Sequence, residues 1–356
     1  KLSHAIIALE NGFEVVLVCK VSKYKEKIES FGIQVKNINF DRKSLNFFKE
    51  ISVLRSYIEI VEISKPDLIQ SIALKPILLT CLGSFFFKKI KKIHAIVGLG
   101  YLFINESIKI KIIRKILTSI LTLIFNRNDN FIVFQNKEDQ EYFIKKKIVK
   151  KEKTTIIKGS GVNTNQFKPS NGVKKKYDLI MHSRMLYDKG IIELINASRI
   201  LKNKGLKLKI LLLGDPDIGN RASVPEIQLK LWDKSKLIEW IPAKENVLSY
   251  LRKSKIAILP SYKEGLPKSL LEAASCGLPI ISTNVSGCRD ICRHNYNGLL
   301  VEAKDSKSLA QSIESLYADN EKIKKMGIRS RGLVENNFSD EIISKKFLKL
   351  YLDILK

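Results

Sequence analysis

The sequence predicts an α/β protein of two doubly wound domains, each a parallel sheet covered by helices on both faces. Three observations predict it. Apolar runs of strand length alternate with stretches of helical period along the whole chain, the mark of a buried parallel sheet. The same rhythm restarts in the second half. Between the halves, "GSGVNTNQFKPSNGVKKKYD" at 159–178 mixes Gly, Asn, Pro and Ser without a period and reads as a linker. A chain of 356 residues is too long for one ordinary core and suits two domains. The expected division is 1–168 and 169–338, with a C-terminal helix at 339–356 packing back toward the first domain.

The chain opens at Lys1 directly in a helical stretch, "SHAIIALENG". A doubly wound domain normally opens with a strand that is central in its sheet. The expectation is therefore that a first strand, with the turn after it, is missing from these residues. Strands are expected at 13–19, 67–71, 93–97 and 131–135, with helices at 45–63 and 107–125. In the second half strands are expected at 178–183, 208–214, 237–240, 256–260, 279–283 and 298–301. Helices follow at 191–204, 267–276, 306–318 and 341–355. Ligands of such sheets bind outside the carboxyl ends of the strands, so a cleft between the domains is the expected site.

Composition narrows the partners. With 45% hydrophobic and 28% charged residues the chain is globular rather than disordered. Five scattered cysteines, an odd number, point to reduced thiols in a cytoplasmic setting. Cys288, Cys292 and His294 lie close in sequence, but their spacing is not a zinc pattern, and no metal site is expected. A net charge of +27 draws the chain to something anionic: nucleic acid, a membrane surface or a phosphorylated substrate. Part of that charge is simply a composition rich in Lys, Ile and Asn. No nucleic-acid motif is present, so nucleic acid is not an expected partner. No apolar run spans a bilayer. The longest, at 77–87 and 116–125, adjoin Lys88, Lys89, Lys91 and Lys92 in one case and Lys109, Lys111, Arg114 and Lys115 in the other. Each is either an amphipathic helix lying in an anionic membrane surface or a core helix with a solvated basic flank.

The stretch "EGLPKSLLEAASCGLPIIST" at 264–283 carries the chemistry. It holds Glu264 before a helix and Glu272 inside an otherwise apolar helical run, where a carboxylate is costly unless something pairs with it. Gly265 permits close approach of backbone to a ligand. Pro267 suits a first helical turn, whose free N–H groups form an anion site. The two glutamates can then bracket a diphosphate, with sugar hydroxyls at one end and a ribose at the other. Upstream, "SRMLYDKG" at 183–190 supplies Arg184 and Lys189, two fixed cations suited to a departing diphosphate.

These segments, with "GDPD", "GCRD" and "NGLLV", resemble glycosyltransferase family 4, retaining enzymes of the GT-B fold. "LKP" (74–76), "VGLGYLF" (97–103), "VFQN" (133–136) and "GSGVN" (159–163) are similar to the subgroup that builds capsule, O-antigen or lipid-linked glycans in bacteria. The resemblance implies that Glu264 holds the donor sugar, Glu272 the nucleotide ribose, and Arg184 and Lys189 the diphosphate. It implies that Gly265, Leu266 and Pro267 contact sugar or phosphate through their backbone. It places Lys75, Gly98 and Gly100 on the acceptor side in the first domain. It implies a nucleotide sugar donor, UDP foremost, and no metal or other cofactor. The acceptor it implies is a polyprenyl-diphosphate-linked saccharide at the inner face of the cell membrane.

The chain departs from the family in places. Many relatives carry a His after the strand that here reads "HAIV", where this chain has Val97 and Gly98. His4 stands as an alternative candidate for acceptor-side catalysis, or is a solvated or core histidine. The Asp215–Asp217 pair resembles a metal motif of the other glycosyltransferase fold, but follows a buried strand and reads as a loop turn. Rival readings are an inactive member or fragment of the same fold, and a GT-B epimerase or phosphorylase. The catalytic carboxylates of epimerases and the pyridoxal-phosphate lysine of phosphorylases are not evident.

Overall fold

The apolar runs become twelve strands among the described residues of the computed structural model, and every pairing is parallel. The structure describes residues 2–20, 24–40, 47–83, 86–87, 89–98, 103, 107–170 and 172–356. In chain order the strands are β1 (Val16–Cys19), β2 (Gln34–Asn37), β3 (Leu68–Ile72), β4 (Lys91–Ile96), β5 (Asn130–Phe134), β6 (Thr154–Ile156), β7 (Tyr177–His182), β8 (Ile210–Leu213), β9 (Glu239–Ile241), β10 (Ser254–Leu259), β11 (Ile280–Thr283) and β12 (Gly298–Val301).

The first unit comprises Lys1–Ser160 and Asp340–Lys356. Its strands form a two-stranded ladder, β1–β2, and a four-stranded sheet in the order β3-β4-β5-β6. Successive side chains of a strand point to opposite faces. Ile93, Ala95 and Val133 therefore join one core with Ala8. Ile96, Ile132 and Phe134 join another, under helices Leu74–Gly83 and Ile108–Phe125. The first core is closed by Ile343, Phe347, Tyr351 and Ile354 of the last helix, Asp340–Leu355. The Tyr351 hydroxyl donates to Gln70 Oε1 at 2.7 Å.

The second unit is Gly161–Ser339, a six-stranded sheet in the order β12-β11-β10-β7-β8-β9. Ile210, Leu212, Ile256 and Ile258 face one core, and Leu211, Leu213 and Ala257 the other. Burial on both faces is why these strands read as unbroken apolar runs. The chain leaves the β7–β10 pair outward in both directions, so their carboxyl ends form the switch point at which doubly wound sheets bind ligands.

The structure bears on four of these readings. The division falls between Ser160 and Gly161, not near 168. The irregular stretch is tied into the second unit: the Val162 N–H donates to Phe338 O at 3.0 Å, and Phe167 O accepts from Arg331 Nη1 at 2.7 Å. The apolar run beginning at Ile77 belongs to a core helix, for Ile77 and Cys81 are wholly buried. Lys92 is not part of a solvated basic flank. It is fully buried on β4 and donates to Asp129 Oδ2 at 2.6 Å and to the carbonyls of Ile90 and Phe87. His4 is buried, with its ring 4.3 Å from that of Phe347. Gly100 and Lys88 lie outside the described residues.

Candidate active site

Two loops meet at the switch point of the second unit. One follows β7 and ends in the helix Ile191–Asn203; the other follows β10 and ends in the helix Lys268–Ser275. They are stitched backbone to backbone. The Asp188 carbonyl accepts from the Tyr262 N–H at 2.9 Å and from Ser261 Oγ at 3.1 Å. Gly190 has φ +76°, and a Cβ there would sit 2.0 Å from Pro260 O, so only glycine fits the crossing. The Tyr262 hydroxyl donates into the Glu193 carboxylate, 2.9 Å from each oxygen. Burial, then that carboxylate, push the phenol pKa well above its usual range, so it stays a donor.

This stitching brings Lys189 to Glu264. Their side chains pair at 2.6 Å and are only 15% and 12% exposed. The cation expected at the diphosphate and the carboxylate expected at the sugar are therefore one contact. Gly287, with φ +77°, presses on the same turn: a Cβ there would lie 2.5 Å from Gly265 O and 2.8 Å from Glu264 O. This fixes Glu264 from its far side and accounts for the glycine of "GCRD".

Glu272 explains itself once the strand order is known. Its helix buries Leu270, Leu271, Ala273 and Ala274, while Glu272 is turned to the end of β7. There His182 Nε2 lies 3.1 Å from Glu272 Oε2, and Lys268 Nζ is 3.9 Å from Oε1. Pro267 occupies the cap position, one residue before the helix, and no side chain caps that end. Leu266 is packed against the second unit's core, holding the turn in place.

Arg184 is turned elsewhere. It is 62% exposed and pairs with Asp217 at 2.6 Å. The carboxylates of the Asp215–Asp217 loop have partners in the protein: Asp215 Oδ1 accepts from the Ala243 N–H, just past β9, at 2.8 Å, and Asp217 Oδ2 from Asn220 at 3.1 Å. Cys288 is buried behind Glu264, and burial, reinforced by that negative charge, pushes its thiol up to about 12. Cys292 is likewise buried with a raised pKa, and His294 Nδ1 accepts from the Leu300 N–H at 3.1 Å. Among the described residues no group of three His, Cys, Asp or Glu side chains is placed to hold a metal.

In the first unit, Lys75 pairs with Glu50 at 2.7 Å and lies over the Phe40 ring. Gly98, just past β4, has φ +125°. His182 and Gly287 are the site residues that sequence reasoning passed over.

Comparison with known proteins places the chain. Residues 162–332 match the family model for glycosyl transferases group 1, and residues 2–136 the model for glycosyl transferase 4-like proteins. The chain is 28% identical to N,N'-diacetylbacillosaminyl-diphospho-undecaprenol alpha-1,3-N-acetylgalactosaminyltransferase of Campylobacter jejuni, over 96% of this chain and 92% of that protein. It is 23% identical to the capsular polysaccharide biosynthesis glycosyltransferase CapM of Staphylococcus aureus, over 94% of this chain and 90% of the relative. A glycosyltransferase structure from Rickettsia africae superposes with a TM-score of 0.79 at 20% identity, covering 100% of this chain and 94% of that one. Anabaena HepE, solved in complex with UDP, gives 0.77 at 16% identity, covering 96% and 100%. Fold and family models together define a glycosyltransferase built of two Rossmann-like domains of the GT-B type. The chain belongs to glycosyltransferase family 4.

Proposed function

We propose that the enzyme moves a hexose or N-acetylhexosamine, with retention, from a nucleotide sugar to a saccharide carried on a polyprenyl diphosphate. UDP is the nucleotide we favour, and the acceptor lies at the inner, anionic face of the cell membrane in cell-surface glycan synthesis. The observation that carries the reading is the part-buried Lys189–Glu264 pair at the switch point, with Glu272 on the helix that follows. The names of the relatives support the acceptor: the C. jejuni protein acts on an undecaprenol-diphosphate saccharide, and an Escherichia coli relative at 22% identity is a UDP-galactose-dependent transferase acting on another.

Each residue then has a task. Lys189 turns from Glu264 to the donor diphosphate, and Glu264 accepts hydroxyls of the transferred sugar. Arg184 leaves its exposed pair with Asp217, which holds it by roughly 0–1 kcal/mol, to add a second cation. The uncapped first turn of the helix Lys268–Ser275 offers N–H groups to phosphate oxygens, and Glu272 takes the ribose. The bond from the anomeric carbon to the diphosphate breaks as the acceptor oxygen bonds to that carbon on the same face. The acceptor's proton passes to the departing phosphate. The cations stabilise that charge without a metal.

The test is a donor screen with a short-chain polyprenyl-diphosphate saccharide as acceptor, scored by nucleotide release and by the anomeric configuration of the product. Release of UDP with retained configuration, unchanged in a chelator, is expected. An inverted product would overturn the mechanism. Activity lost in chelator and restored by manganese would return Asp215 and Asp217 to a metal role.

A further inference from the structure

The helix Ile108–Phe125 has two apolar faces, and the fold uses one. Leu117, Leu121, Ile124 and Phe125 are buried in the first unit's core. Ile108, Ile112, Ile116 and Leu123 are 77, 56, 58 and 77% exposed. Their spacings of four, four and seven residues set them in one line along the helix. Exposed Ile113 and Ile120 widen the line into a stripe. Single exposed aliphatic residues need no explanation, but a contiguous stripe of six does.

The surroundings of the stripe are cationic. The helix carries Lys109, Lys111, Arg114 and Lys115 and no Asp or Glu. Along one edge of the stripe, Lys111, Arg114, Lys115, Thr118, Ser119 and Lys146 line a polar groove of about 430 Å³. Cations and hydroxyls beside exposed aliphatic side chains match an interface whose outer layer is anionic phosphate and whose inner layer is hydrocarbon. No helix among the described residues is long and apolar enough to span a membrane, so such a surface would be met from one side. Two copies meeting through this face would set four cations against four, which disfavours a dimer.

We propose that this helix is the face by which the enzyme docks on an anionic phospholipid bilayer. The Ile108–Leu123 stripe sinks among the acyl chains, and the groove receives headgroup phosphates. The proposal deepens the membrane part of the proposed function and rests on it for the acceptor alone.

The test is flotation of the full chain, without donor or acceptor, on vesicles of phosphatidylcholine and of phosphatidylcholine mixed with phosphatidylglycerol. Binding to the anionic vesicles alone is expected, weakening as salt rises. Ile112→Glu with Ile116→Glu is expected to lower partitioning about tenfold or more. Lys109→Ser or Lys115→Ser is expected to lower it about fivefold each, and these exposed lysines test the proposal even if the glutamate variant misfolds. An Ile116→Trp chain should show a blue-shifted emission component on anionic vesicles only. Unchanged binding in the glutamate and serine variants, or no spectral shift, overturns the proposal. So does a concentration-dependent dimer that these changes disperse without any vesicle binding. Docking without transfer to any lipid-linked acceptor would sink the functional reading and leave this one standing. Transfer to a water-soluble acceptor without docking would do the reverse.

Discussion

Lys189 and Glu264 hold each other at 2.6 Å, so a donor must replace that contact with better ones. Glu264→Gln keeps the shape but gives Lys189 a weaker acceptor and sugar hydroxyls a weaker partner. We expect it to remove most turnover while leaving the melting temperature within a few degrees. Lys189→Met should cost about a hundredfold or more in kcat/KM, the usual scale for losing one preorganised charge at a leaving group. Turnover near that of the parent in either variant would refute these roles. His182→Phe should raise the donor KM in the same direction as Glu272→Ala, and the two should be non-additive in a double-mutant cycle because they share one hydrogen bond. Arg184, Lys189 and Glu264 were legible because each stands in a loop punctuated by Gly or Pro, and Glu272 because it interrupts an apolar helical run. His182 was not. It ends a strand, and its partner lies 90 residues on, so their meeting depends on the sheet order.

His94 tests the core by pH. It is buried between Ser71 Oγ and Asn130 Oδ1, at 2.7 and 2.8 Å, and burial lowers its pKa from 6.5 to about 4. The unfolded chain therefore binds a proton that the folded chain refuses between those values. The stability tied to neutral His94 is present above about pH 6.5 and is lost as pH falls toward 4, on the order of 3 kcal/mol in all. His94→Gln should flatten that part of the pH dependence, measured by urea unfolding from pH 7 to pH 4.5. An unchanged slope would show that other groups set the acid limit.

Among the elements, β4 and the short edge strands show where sequence reading fails. β4 begins with Lys91 and Lys92, and two lysines argue against a buried strand until Asp129 supplies the partner. β2 reads "QVKN" with only Val35 buried, and β6 reads "TTI" with no residue fully buried, so neither shows a core run. The first unit's helix at 108–125 was legible in extent, but its two apolar faces were not, because periodicity alone does not say which face meets a core. Lys92→Met should destabilise the first unit by about 3–5 kcal/mol, the cost of breaking a buried pair from one side. Arg127, 3.6 Å from Asp129, should hold the loss to the lower end. Loss of hydrogen-exchange protection in β3–β5, with β7–β12 unaffected, is the expected pattern. Equal loss in both units would mean that they unfold together.

For the whole molecule, the rhythm of runs and helices gave away two doubly wound units, while the position of their boundary depended on long-range bonds to Phe338 and Arg331. The last helix is the larger lesson, because its partners lie in a different part of the chain from its neighbours. Truncation after Ser339 removes Ile343, Phe347, Tyr351 and Ile354 from the first unit's core. Each buried side chain of that size contributes roughly 1.5–3 kcal/mol, against about 5–15 kcal/mol for a whole domain. We expect a protease to digest the first unit of the truncated chain and to spare a fragment starting near Gly161. Resistance throughout would show that the helix is dispensable.

The first unit is thus made of two separated stretches, and the second lies wholly inside that interruption. Synthesis runs from the amino end, so a ribosome delivers all of 161–339 before the final seventeen residues appear. The unit begun first is the one finished last. During that interval the face of β4 and β5 that bears Ile93, Ala95 and Val133 has no cover from Phe347 or Tyr351. A nascent chain ending at residue 339, held on the ribosome by a linker long enough to clear the exit tunnel, should therefore engage chaperones through its older half while its younger half is already folded.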